Sequence, residues 1–415
     1  MKPPTVAKNT FAKLLLCAGF TAASFAPAPA AVTWHDFQFG GNASQGYLVN
    51  NGHNDYLGKT NDGTFDFREY SVNASWAKGN WRIGAQAFGQ KLGEYGDDKV
   101  KLDWATVDYQ PIQWFGIRVG RVKTPRGLYN EALDLDSVRP FVLLPQSVYD
   151  NRLRDFNASF DGGMILGNVS LHNTGSLDYR AYYGDIAMQT DSGASDYFNQ
   201  DAPYKNAYFQ MDYTLGGSLF WNTPIDGLRL GYSFTRYVNF GAGRIIPPFP
   251  PFTFTSVIAT RFTPRFDRHL VSAEYIHGDW TLAVEAGKDQ GEYDVMLLAV
   301  IPMKQPFIAR TGYVSVARRI NKHIELGTYV SYSEESGPLV FGVVQPGGTV
   351  DSTIVRQTDV AVSIRYDIND RFLIKAEVHS MHGAGKIFDT ADHPQPLANR
   401  DNNWAMLALK TTFTF

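Results

Sequence analysis

The chain has 415 residues, 19% of them charged and 14% aromatic, with a formal charge of −3. High aromatic content with a small net charge excludes an intrinsically disordered chain, and the lack of a basic excess or cluster excludes a nucleic-acid partner. No apolar run past the N-terminus approaches the ~20 residues that a spanning helix needs, so a helical membrane protein is excluded too. The 38 Gly, 22 Tyr and 28 Phe point to β structure. The length would ordinarily suggest two or three domains. No linker or composition break divides it, so one large architecture is expected.

The chain opens with a targeting pattern. Lys2, Lys8 and Lys13 form a basic region, 14–25 is apolar, and Ala28-Pro29-Ala30 supplies a small-x-small cleavage site. A signal peptide over 1–30 is expected, the alternative being a buried N-terminal helix. Cys17 lies inside it, preceded by Leu16 where a lipoprotein site needs a small residue, so lipid anchoring is rejected. The rest of the chain has no Cys, which suits export to an oxidising compartment without a disulfide framework.

From there the chain alternates with period two. Weaker strands are read over 70–76, 81–88, 105–109, 177–183 and 209–215. Leu228-Arg229-Leu230-Gly231-Tyr232-Ser233-Phe234-Thr235 is the first clear one. A weaker one follows over 271–275, and clear ones over 280–287 and 324–332. After 360–366, the run Phe372-Leu373-Ile374-Lys375-Ala376-Glu377-Val378-His379 puts Phe372, Ile374, Ala376 and Val378 on one face. Lys375, Glu377 and His379 take the other. The chain closes on 407–415. Irregular stretches near Trp34, Phe115, Leu153 and Val314 bring the count to sixteen.

Alternation alone also fits a soluble sandwich. The connections separate the two, because they alternate in length. Short ones fall at 78–80, 110–112, 222–227, 278, 319–322 and 367–370, with 162–176 the long exception. Long ones fall near 41–64, 124–151, 186–205, 240–267, 289–306, 335–353 and 385–402. Short inner turns and long outer loops are the signature of an all-β, closed antiparallel transmembrane β-barrel of about sixteen strands, here over 31–415. Trp76, Trp81, Tyr109, Trp221, Trp280, Tyr366 and Trp404 sit near strand ends, as a membrane-interface girdle requires. This places the protein in the outer membrane of a Gram-negative bacterium.

Two segments carry a family resemblance. The terminal strand Leu407-Ala408-Leu409-Lys410-Thr411-Thr412-Phe413-Thr414-Phe415 resembles the last strand of outer-membrane barrels, whose terminal Phe is read by the barrel assembly machinery. The stretch 120–156 resembles the Gram-negative porin superfamily, nearest to the phosphate-selective porin group, through Gly120, Lys123, Pro125, Gly127 and Leu128. The resemblance implies a homotrimeric, water-filled channel for small hydrophilic solutes or ions, seated in outer-membrane lipid and lipopolysaccharide. It does not carry phosphate selectivity. The register turns Glu69, Asp212, Glu274, Glu285, Glu325, Asp359 and Glu377 to the lumen against Arg82, Arg180, Arg229 and Arg365, and this mixture suits a general or weakly selective pore better than an anion channel.

The loop 124–151 contains Pro140-Phe141-Val142-Leu143-Leu144-Pro145, which would be costly in water and is better packed inside the barrel. It is expected to form the constriction, with Arg118, Arg126, Glu131, Asp134, Asp136, Arg139, Arg152, Arg154 and Asp155 as the candidate residues. Glu131, Asp134 and Asp136 are expected to face Arg118, Arg126 and Arg139 across the pore and set a transverse field. His379, His382, Asp389, Asp392 and His393 match no metal-ligand spacing, so no metal and no cofactor are expected. The Pro-rich stretch 245–254 is read as a stiff cap, subunit contact or lipopolysaccharide contact. A barrel enzyme would need a positioned Ser–His or Asp–His pair at the outer rim, and only the His379 group lies outward, so no enzymatic activity is expected.

Overall fold

The computed structural model describes residues 32–199, 206–246, 257–297, 301–336, 352–390 and 393–415. The expected signal peptide, Asp392 and most of the Pro-rich stretch lie outside the described residues.

The strands run in chain order as β1 (Val32–Trp34), β2 (Phe37–Asn50), β3 (Phe67–Lys78), β4 (Trp81–Leu92), β5 (Lys101–Ile112) and β6 (Phe115–Lys123). After a long excursion come β7 (Ser159–Ser170), β8 (Ser176–Asp185), the short β9 (Asn206–Gln210) and β10 (Tyr213–Asn222). The tall wall follows as β11 (Leu228–Ile246), β12 (Val257–His277), β13 (Trp280–Leu297) and β14 (Ile301–Arg319). Then come β15 (Ile324–Ser336), β16 (Arg356–Asp367), β17 (Phe372–Gly383) and β18 (Asn403–Thr414).

Sixteen of these strands close an antiparallel barrel, with β1 and β9 as short additions. Closure is made by β18 on β2, with Met406 opposite Asn50 and Thr414 opposite Asn42. Phe415 completes the seam: its N–H donates to the Gly41 carbonyl and its carbonyl accepts from the Gly41 N–H, both at 3.0 Å.

The faces are inverted relative to a soluble protein. Along β16, Val360, Val362, Ile364 and Tyr366 face out and are exposed, while Gln357, Asp359, Ser363 and Arg365 face in and are buried. The same belt continues through Val72, Val119, Ile165, Val284, Val314, Val330 and Val378. So continuous an apolar exterior is untenable in water and is what a bilayer demands. Exposed Trp81, Tyr109, Trp114, Trp221, Trp280 and Tyr366 ring the short-turn end. Trp404, expected in that ring, instead points inward and donates to the Gly383 carbonyl at 3.2 Å.

The strand count agrees with the sequence, but one member is exchanged. The stretch near Leu153 is a 3-10 turn, Asn151–Leu153, followed by the helical turn Arg154–Asn157. In its place Ser159–Ser170 is a strand, which shortens the connection expected at 162–176 to a tight turn around Gly175. Glycines at 162, 163 and 167 leave that strand too little side chain to show alternation.

The long connections expected at 41–64, 240–267 and 289–306 are likewise partly strand. β2 continues to Asn50, and β11 to β14 reach 18 to 21 residues against nine in β6. Above the bilayer both faces of a strand meet polar surroundings, so the two-residue pattern fades although the ladder continues.

Candidate functional site in the barrel lumen

The excursion between β6 and β7 folds into the barrel. Its base is pinched where the Thr124 N–H donates to the Ala158 carbonyl at 2.9 Å, and Asn130 Nδ2 donates to the Thr124 and Asn157 carbonyls. From there it crosses to the far wall. The Leu128 N–H donates to Glu285 of β13 at 3.0 Å. That carboxylate also accepts from the hydroxyls of Tyr149, Tyr313 and Ser272. Further on, the Val142 and Leu143 N–H groups donate to Glu377 at 3.0 and 3.1 Å. Phe141 packs edge-on against Tyr329 at 5.1 Å. Glu377 and Asp359 flank His379 at 2.9 and 3.1 Å, so the loop tip and the wall share one buried polar network.

Gly127 makes the approach possible. Its φ is +60°, and a Cβ there would stand 2.5 Å from the Tyr149 hydroxyl and 2.6 Å from Glu285 Oε1. Gly127→Ala is therefore expected to destabilise the folded loop by roughly 1–3 kcal/mol. A lower temperature for the heat-induced gel shift checks this, and an unchanged temperature counts against it.

The charged residues singled out in the sequence separate into local pairs. Arg118 makes a two-pronged bond to Asp108 at 2.8 Å on the wall. Glu131 pairs with Arg180, and Asp134 pairs with Lys123. Arg126 is buried and donates to the Val148 carbonyl at 2.9 Å. Of the pairs expected across the pore, Asp136 with Arg139 is the one found, at 3.4 Å, and both are buried within the loop itself.

Arg152 binds Asp150 at 2.8 Å and lies 3.5 Å from the Phe388 ring centroid, while Arg154 binds Asp103 at 2.6 Å. Asp155 is half exposed beside Lys101 at 3.3 Å. The physical reason is common to all: a buried charge takes the nearest counter-charge or carbonyl, whatever its place in sequence.

Burial would raise the Asp136 carboxyl, but Lys375, Lys410 and Arg139 overcome it and hold the group well below the usual carboxylate range. Burial opposes Asp134 in the same way, and Lys123 and Arg154 bring it down to about 2. Among the described residues no set of three His, Cys, Asp or Glu side chains converges on a metal position.

The two sides of the lumen differ. On the β16–β18 side the space is full: Lys375, Glu377 and His379 are each 0% exposed and Lys410 2%. The outer half also holds an aromatic core of Phe156, Phe198, Tyr237, Phe240, Phe266 and Phe307, contributed by loops and wall together. Part of this core comes from loops, so alternation along the strands does not reveal it. On the β2–β6 side a cavity of about 310 Å³ remains, lined by Arg82, Trp104, Arg118 and Lys123 from the wall and by Glu131 and Asp134 from the loop.

No family model and no curated protein matches the sequence. Solved structures do match in shape. OmpT of Vibrio cholerae, an outer-membrane protein, aligns with 93% of this chain and all of its own at 11% identity and a TM-score of 0.56. The outer-membrane channel DcaP of Acinetobacter baumannii aligns with 93% of this chain and all of its own at 9% identity and a TM-score of 0.54. The anion-selective porin from Comamonas acidovorans aligns with 91% of this chain and 99% of its own at 10% identity and a TM-score of 0.51. At such identities the likeness is one of architecture: the chain has the fold of the Gram-negative outer-membrane porins.

Proposed function

We propose that the protein is an outer-membrane porin, a passive channel for small hydrophilic solutes. The observation that carries this reading is the lumen cavity between the inward loop and the β2–β6 wall, lined by charged and polar groups at the height where the loop narrows the barrel. The opposite side is filled by side chains with no exposure, so the solute path runs past Arg82, Arg118, Lys123 and Arg180. Residues 124–151 set its narrowest point. The homotrimer, cleavage after residue 30 and recognition of Phe415 during assembly are parts of the same proposal.

Charge balance argues for weak selectivity. Arg118 is neutralised by Asp108, Arg180 by Glu131 and Lys123 by Asp134, and Arg82 and Arg229 stand opposite Asp108 and Glu274 across their ladders. A phosphate- or anion-selective pore would leave its cations unmatched. Planar-bilayer recordings in a salt gradient test this. A small reversal potential is expected in the wild type, and R118Q with R180Q is expected to move it toward cation preference. A wild type that conducts nothing would overturn the channel reading. A variant with unchanged reversal potential would place the path elsewhere.

A further inference from the structure

The outer face of the tall wall carries a row of cations that the lumen does not use. Across the ladders, His269 of β12 stands opposite Lys288 of β13, Lys288 opposite Arg310 of β14, Arg310 opposite Glu334 of β15, and Glu334 opposite Arg356 of β16. All face away from the lumen, because their neighbours Asp289, Ala309, Glu335 and Gln357 face inward and are at least partly buried. Lys288, Arg310 and Arg356 are exposed. The one carboxylate in the row, Glu334, binds Arg356 at 2.7 Å and lies 3.9 Å from Arg310, so the row stays net cationic. Just above it Arg236 and Arg265 share Asp267, at 2.7 and 2.6 Å, and add a further net positive charge.

The row sits at a defined height. Trp280, at the short-turn end, is eight residues before Lys288 on the same strand. That is ~27 Å of strand, or ~20 Å of height at the usual tilt, which reaches the upper edge of an apolar band ~25 Å tall. The surface below is shaped for a chain. Directly beneath Lys288 and Arg310 lie Ala286 and Gly312, with almost no side chain, and Tyr332 flanks them. Beneath these run Val284, Val314, Val330 and Val360. On the low wall the outward cations are matched among the described residues: Arg121 binds Asp161, which faces Asp185 across the ladder, Arg68 binds Asp98 and Lys91 binds Asp97, so no cationic excess exists there.

We propose that Lys288, Arg310 and Arg356 hold the phosphates of an anionic outer-leaflet lipid, whose acyl chain lies in the shallow groove over Ala286 and Gly312. The proposal rests on the outer-membrane reading but not on conduction, so the two fail separately. Native mass spectrometry of the full chain in detergent, with bisphosphorylated lipid A as probe, tests it. The wild type is expected to retain the lipid. K288Q/R310Q/R356Q is expected to bind it on the order of a hundredfold more weakly, while keeping its heat-dependent gel shift and single-channel conductance. The charge-keeping K288R/R310K/R356K is expected to retain it. Dephosphorylated lipid A is expected to bind neither protein. Equal retention by wild type and the glutamine variant would overturn the assignment. So would displacement of lipid A by millimolar inorganic phosphate, which would make the row a simple anion site.

Discussion

A channel in which residues 137–147 are replaced by a short Gly-Ser linker is expected to conduct several-fold more current than the wild type. That segment fills the lumen between β14 and β17. Ser147 donates to the Gly312 carbonyl at 3.1 Å, and Arg365 of β16 donates to the Ser137 carbonyl at 2.6 Å. Removing it takes the Phe141–Tyr329 contact and both N–H groups on Glu377 with it, and the cross-section becomes limited by the strands alone. The barrel itself should survive, because its ladders and the β18–β2 seam do not pass through the loop. Single-channel recording checks the conductance, and the heat-dependent gel shift checks the barrel. Unchanged conductance with an intact barrel would show that the loop lies beside the current path.

The largest loss of stability is expected at Asp136. Its carboxylate lies 3.1 Å from Lys375 and 3.4 Å from Lys410, both buried, and accepts from Thr412 at 2.7 Å. D136N keeps the shape but leaves the buried Lys375 ammonium without its counter-charge and Lys410 with Glu69 alone, at a cost of about 3–5 kcal/mol.

The pH dependence has a definite sign. The folded Asp136 is held below the unfolded value of about 3.9, so its contribution is complete above that pH. It is lost only as the pH falls toward the depressed folded value. The difference in denaturant midpoint between wild type and D136N should therefore begin to shrink only below about 4. A difference that already shrinks at pH 6 would show that another group carries the anchor.

Much of the barrel was legible in the sequence because its cause is local. A strand with lipid on one side and polar lumen on the other must alternate, and β16 and β17 show this residue by residue. Tight turns follow from Gly and Asn at strand ends, as at Gly79 and Gly278 with φ near +57°. The inward position of Phe141-Val142-Leu143-Leu144 was also readable, since four apolar residues in an outer loop have to be covered.

Where that local cause stops, so did the reading. The tall strands β11 to β14 rise above the lipid and lose their oily face, and Gly-rich β7 has too little side chain to alternate. The partners of the charges were decided by the tertiary structure alone. Val142 reaches Glu377 across 235 positions, and Lys375 reaches the Asp136 carbonyl across 239. Arg118 and Asp108 are ten apart and meet because β5 and β6 are hairpin neighbours in that register. The two-residue alternation and the short–long rhythm of the connections by themselves determined a closed barrel with a mixed-charge interior. Which carboxylate met which cation, and which side of the lumen stayed open, depended on the path of one loop through the barrel, because each buried charge takes the nearest partner that path brings to it.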